Sequence, residues 1–178
     1  MTKHSVSLYI DESVIRLLVS DRKGVRVCAS VELEPNLINS MVVADKPKLA
    51  SRISQLLKNH EIKTGSLDLV ISASQVLTRP ILLPALPKNL LHEAVVREAK
   101  RVLPLSLDQV YLSYQSAPAH NGKMRVFLAA LRRESVDSII DTMKIAKIKV
   151  ASLTIKPLAI ARLVKTDGII VDVRKNEF

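Results

Sequence analysis

Short apolar-rich runs set the first part of the chain. Residues 5–10 (SVSLYI) and 14–20 (VIRLLVS) read as two strands joined by the acidic turn Asp11-Glu12-Ser13. The run DRKG (21–24) reads as a turn into a third strand, 25–33, with Gly24 able to take the positive φ that such turns often need. EPNLINSMVVADKP is expected to be a loop. In PKLASRISQLLKNH (47–60), Leu49, Ile53, Leu56 and Leu57 recur at helical spacing, with Pro47 near the start. Gly65 breaks that pattern, and LDLVIS (67–72) reads as a short buried strand of a mixed or parallel sheet.

The pattern changes after Ser74. VLTRPILLPALP carries three prolines in twelve residues and should be extended, because proline fixes φ and removes a donor. KNLLHEAVVREAKRVL (88–103) predicts a helix, with Leu91, Ala94, Val95 and Glu98 flanking one side and Pro104 ending it. QVYLSYQSA (109–117) alternates like a half-buried strand. Asn121-Gly122, after His120, is a strong hairpin signal, and 123–133 is the returning strand. A helix is expected over 134–148, with Val136, Ile139, Ile140, Met143 and Ala146 apolar. A strand over 149–155, a helix opening at Pro157 and a last strand, GIIVDV (168–173), complete the chain. Residues 76–149 thus interrupt a sheet-and-helix frame formed by what lies before about 75 and after about 149.

Composition narrows the picture. The 178 residues suit one domain or two small ones, and 48% are apolar, which is enough for a core. Trp is absent and aromatics are few, so that core must be aliphatic. No run approaches the roughly 20 apolar residues of a membrane-spanning helix. The N-terminal run MTKHSVSLYIDESV lacks a signal-peptide h-region and cleavage site. One cysteine, Cys28, excludes an internal disulfide and a cysteine-based zinc site, and it is expected to be an inert buried thiol. The formal charge of +10 favours an acidic partner: nucleic acid, an anionic membrane surface or an acidic protein. The basic residues are dispersed, however, with no block of five or six.

Two longer stretches resemble the type IV pilus assembly protein PilM family. One is RPILLPALPKNLLHEAVVREAKRVLPLSLDQVYLSYQ (79–115), with its Leu103-Pro104 step, Asp108 and Tyr114. The other is VFLAALRRESVDSIIDTMKIAKIKVASLTIKPLAIARLV (126–164), in which Pro157, Leu158 and Ala159 open a helix. The resemblance covers nearly the whole chain in order and rests on many moderate matches. It implies a mixed α/β fold: the first lobe of an actin-like, ribonuclease H-like fold related to the division protein FtsA. Residues 1–75 plus 150–178 would form that lobe. Residues 76–149 would form an inserted small strand-helix-strand-strand subdomain.

The family's first phosphate loop reads Asp-x-Gly followed by hydroxyl residues, where glycine lets backbone N–H groups approach an anion. Here Asp11 matches the aspartate and Ser13 a hydroxyl, but Glu12 stands in the tight turn and the loop is shorter. Asp172 fits the aspartate of the second loop, and no glycine follows it. The resemblance also puts residue 178 about where a second lobe would begin. The expectation is a degenerate, non-catalytic site: no enzyme, and no ATP or Mg²⁺ cofactor for this chain. The implied role is a scaffold or adaptor, cytoplasmic and peripheral at the inner membrane. It would hold the cytoplasmic tail of a PilN-like membrane partner near Val76–Leu83 and Ile148–Leu153, alongside other pilus assembly components. Self-association is an added possibility. Competing readings are an active actin-like ATPase, an FtsA-like division protein, and a basic nucleic-acid binder.

Other chemistry is sparse. His4, His60, His92 and His120 lack metal-ligand spacing, and no serine sits in a Gly-x-Ser-x-Gly elbow. Asp137 and Asp141 share a helix face and are expected to form salt bridges rather than to chelate a cation. Arg97, Lys100 and Arg101 form a basic stripe that is either a solvated face or a contact for an acidic partner or anionic headgroups.

Overall fold

The computed structural model describes residues 4–63, 66–72, 74, 76–164, 166 and 168–172. Strands β1 (Ser5–Ile10), β2 (Val14–Asp21) and β3 (Gly24–Glu32) form an antiparallel meander. Strand β6 (Ser66–Ile71) adds parallel to β1, and β10 (Lys149–Ile155) adds parallel to β6. The resulting order is β10-β6-β1-β2-β3. Alternation gives this sheet one apolar face: Leu8, Ile10, Ile15, Leu17, Leu67, Leu69 and Ile71 are all buried.

Two helices cover that face. Helix α1 (Lys46–Asn59) is capped by Asp45, whose side chain accepts from the Lys48 N–H at 2.9 Å, and buries Leu49, Ile53, Leu56 and Leu57. Helix α3 (Arg133–Ile145) packs beside α1 and buries Ile139 and Met143 in the same core. Against α3 lies a ribbon of β4 (Ile38–Asn39) and β5 (Val42–Val43). Its turn residues Ser40 and Met41 have φ of 49° and 61°, and Met41 is buried. Ser138 ties the ribbon to α3, its hydroxyl accepting from the Val43 N–H at 2.9 Å. The expected loop therefore carries a short ribbon packed on the core. Its signal was hidden because the turn uses no glycine.

A second, smaller cluster lies in a three-stranded antiparallel sheet ordered β7-β9-β8, from β7 (Val76–Pro84), β8 (Val110–Pro118) and β9 (Lys123–Arg132). Helix α2 (Lys88–Val102) packs Leu91, Val95 and Ala99 with Leu83, Val126 and Leu128. The prolines of β7 are tolerated because it is an edge strand. Asn121 and Gly122 both take positive φ in the β8–β9 turn, as that dipeptide predicts.

Leu131 already lies in the main core, because the apolar face of α3, which follows it, meets α1 and β5. Two expectations need correction. Gly168–Asp172 forms no strand. It joins no strand ladder among the described residues, and Ile169 and Val171 are 93% and 76% exposed. Cys28 is exposed, since alternation in edge strand β3 turns Val27 and Ala29 to the core and leaves position 28 on the open face. Gly65 and residues 173–178 lie outside the described residues.

Candidate functional site

Strands β1, β6 and β10 are parallel and end in register at Ile10, Ile71 and Ile155. The next residues, Asp11, Ser72 and Lys156, therefore stand side by side at one edge of the sheet. Ligands of open α/β sheets bind outside such carboxyl ends. Asp11 is buried, and four donors converge on it. Its Oδ1 accepts from the Ser13 N–H at 2.8 Å, the Val14 N–H at 2.9 Å and the Ser13 hydroxyl at 3.0 Å. Its Oδ2 accepts from the Tyr9 hydroxyl at 2.9 Å. Burial pushes the Asp11 carboxyl up, but the Ser13 N–H, the Tyr9 and Ser13 hydroxyls and the Val14 N–H together hold it below the usual carboxylate range.

This geometry defines the acidic turn. Free backbone N–H groups in such a turn can cradle an anion. Here they are taken by the chain's own carboxylate in an Asx-type turn. Glu12 is exposed beside it and adds a second negative charge. The other expected aspartate joins the same neighbourhood. Lys156 Nζ lies 2.8 Å from Asp172 Oδ1 and 5.6 Å from the centroid of the Tyr9 ring. Arg16 also lies over that ring, at 5.7 Å. Asp11, Tyr9, Lys156 and Asp172 thus form one chain of contacts. Tyr9 and Lys156 were missed in the sequence. Their signal is position, one residue before and one residue after the carboxyl ends of two parallel strands.

The basic stripe lies on exposed α2, where Arg97 pairs with Glu93 at 2.9 Å and Arg101 pairs with Glu98. Lys100 alone of the three has no carboxylate partner among the described residues. Asp137 accepts from the Tyr111 hydroxyl at 2.8 Å. Lys144, and then Lys46, hold the Asp141 carboxyl below its ordinary range. No group of three or more metal-ligating side chains occurs among the described residues. His92 and His120 are exposed.

Of the two segments expected to border a tail groove, one lines a concavity. Ile148–Leu153 rims a concavity of about 410 Å³ with Ile140 and Lys144. Val76–Leu83 is the outer strand of the small sheet and does not line it. Among the described residues β10 is an edge strand, which leaves a row of its backbone groups without a ladder partner beside the apolar Ile140, Val150 and Leu153. The two clusters are joined at Tyr111, whose ring lies 4.2 Å from the Arg133 guanidinium carbon and whose hydroxyl reaches Asp137 of α3.

A mixed sheet of this order, with its carboxyl edge so placed, defines the first lobe of an actin-like fold. Solved structures at low identity share it. One is the cytoplasmic domain of EpsL, an inner membrane component of the type II secretion system of Vibrio cholerae (15% identity, TM-score 0.58, covering 85% of this chain and 57% of that one). Another is the ethanolamine utilization protein EutJ of Carboxydothermus hydrogenoformans (14%, TM-score 0.51, 97% and 44%). Residues 10–170 match the sequence profile of the type IV pilus assembly protein PilM, and the chain belongs to that family. It is also similar, at 28% identity and a TM-score of 0.79, to a chain of a PilM–PilN type IV pilus biogenesis complex. That match covers 87% of this chain and 48% of the other, so this chain spans about half the length of that relative. A search of curated protein sequences gave no significant match. No helix among the described residues is long and apolar enough to cross a membrane.

Proposed function

We propose that this chain is the partner-holding lobe of a PilM-type scaffold and works by binding, not catalysis. It would hold the cytoplasmic tail of a PilN-like membrane protein at the cytoplasmic side of the inner membrane. The observation that carries this reading is the 28% identity, over 87% of the chain, to a protein solved as a PilM–PilN complex. The free edge of β10 and its apolar flank suit an extended tail, with backbone hydrogen bonds for affinity and alternate side chains in the concavity for specificity. The non-catalytic half of the reading is supported by Asp11, whose carboxylate takes the N–H groups that a nucleotide phosphate would need. The test is fluorescence anisotropy with the labelled N-terminal tail of the cognate PilN-like protein. Saturable binding is expected. Ala151→Trp, at an exposed position in the concavity, should weaken it at least about tenfold. No binding at about 100 µM peptide, a concentration that as a Kd corresponds to about 5.5 kcal/mol of binding free energy, would reject the reading.

A further inference from the structure

Helices α1 and α3 end side by side and in the same way. After α1, the Glu61 N–H donates to the Lys58 carbonyl at 3.0 Å and the Ile62 N–H to that of Leu57 at 2.9 Å. After α3, the Lys147 N–H donates to the Lys144 carbonyl at 2.9 Å and the Ile148 N–H to that of Met143 at 2.9 Å. Both are Schellman-type stops, in which the residue after the cap turns left-handed and an apolar residue folds back on the helix. Glycine is the favoured residue at that left-handed position. Here Glu61 occupies it with φ of 56° and Lys147 with φ of 59°. Two charged residues stand where the backbone favours glycine, and both line one concavity of about 1110 Å³. Its floor is Leu57, Ile62, Ala146 and Ile148, and its rim carries Lys58, Lys63 and Lys147. All three lysines are exposed, and none has a carboxylate partner among the described residues.

We propose that this concavity docks an acidic, amphipathic segment of a partner protein. Its apolar side chains would rest on the floor and its carboxylates on Lys58, Lys63 and Lys147. Charge complementarity selects the occupant: three unpaired lysines stand against the single carboxylate of Glu61. The helix carboxyl ends carry partial negative charge, which the Schellman hydrogen bonds and these lysines offset. A second copy of the chain is disfavoured by its own charge of +10. A flat anionic bilayer meets the rim and Glu61 before it reaches the floor. The site lies where β6 and β10 begin, at Ser66 and Lys149, at the opposite end of the sheet from Asp11. It shares only Ile148 with the concavity proposed for the membrane partner's tail.

The test uses the full chain and a labelled Leu/Glu amphipathic peptide of about 14 residues, with a Leu/Gln peptide of the same pattern as control. Methyl NMR should show shifts at Ile62 and Ala146 with the Glu peptide only. The double variant Lys58→Glu with Lys63→Glu should bind about tenfold more weakly or worse. Lys147→Gly is the decisive variant. It should raise the Tm by relieving the left-handed side chain, while weakening the Glu peptide several-fold. Equal binding of the Gln peptide, or full affinity in Lys147→Gly, would overturn the proposal. So would phosphatidylglycerol vesicles binding through the same lysines while the Glu peptide leaves those methyls unmoved. Ala151→Trp should leave the Glu peptide unaffected, so failure here and failure of the tail-binding reading are separable.

Discussion

Asp11 decides what the carboxyl edge of the sheet can do. Its two oxygens accept from two backbone N–H groups and two hydroxyls, so the turn holds its anion internally. Asp11→Ala leaves the Ser13 and Val14 N–H groups without that acceptor and should cost about 2 kcal/mol in urea unfolding. Asp11→Asn keeps a side-chain oxygen for the turn and should cost about half as much. The sign of the pH effect follows from the lowered folded-state value. The carboxylate stabilises the fold above its unfolded pKa of about 3.9, and the gain fades as pH falls through the lower folded value. Acid unfolding of Asp11→Asn should therefore be less steep below about pH 4 than that of the parent. An equal slope in both proteins would show that Asp11 is not the titrating group. Cys28 makes a second prediction at this scale. It is exposed on edge strand β3, so one thiol per chain should react with a disulfide reagent in the native protein without denaturant. The sequence placed this cysteine in a strand, but strand pattern alone does not say which face a partner covers.

Among the elements, α3 joins the two halves of the chain. It follows β9 of the small sheet directly, yet its apolar side packs on α1 and β5 of the main core. Ile139→Ala should therefore cost about 2–4 kcal/mol of global stability, while Ile145→Ala, 48% exposed on the same helix, should stay within about 0.5 kcal/mol. If only a local transition in the small sheet moved in Ile139→Ala, the placement of α3 in the main core would be wrong. Most elements were legible from residue pattern. Strands β1, β2 and β6, helices α1 to α3 and the Asn121-Gly122 hairpin follow from periodicity, proline stops and turn chemistry. What pattern could not show was partnership. The β4–β5 ribbon has two-residue strands and a turn of Ser40 and Met41, so only packing of Ile38, Met41 and Val43 against the core defines it. Residues 168–172 are the converse: an apolar β-branched run reads as a strand but joins no ladder among the described residues. The helix ends at Glu61 and Lys147 escaped for a related reason. A left-handed stop announced by glycine is visible in sequence, and one built on a charged residue is not.

For the molecule as a whole, the question is whether an actin-like lobe of this kind answers to nucleotide. Strand order places Asp11 and Lys156 side by side at the carboxyl edge, with Asp172 paired to Lys156. The resemblance gave no hint that Tyr9 and Lys156 would link the two aspartates, or that Asp11 would take the turn's own donors. Three features now bear on ATP. The Ser13 and Val14 N–H groups are engaged, so phosphate would have to displace a buried carboxylate that is already hydrogen-bonded four times. Glu12 and Asp11 repel a polyphosphate unless a divalent cation comes between them. Lys156, the nearest lysine on this edge, is paired with Asp172. A ligand bound a hundredfold above its Kd stabilises a fold by about 2.7 kcal/mol, which is several degrees of Tm for a chain of this size. ATP with magnesium at about 1 mM should therefore shift the Tm of this chain by less than about 1 °C, where a micromolar binder would shift it by several. A shift of that larger size would mean that the turn opens and Asp11 releases its donors. Asp11→Asn should then enhance the shift, because it removes the charge that competes with phosphate while keeping the turn. A flat response in both proteins leaves the carboxyl edge as a structural lock that holds its own anion.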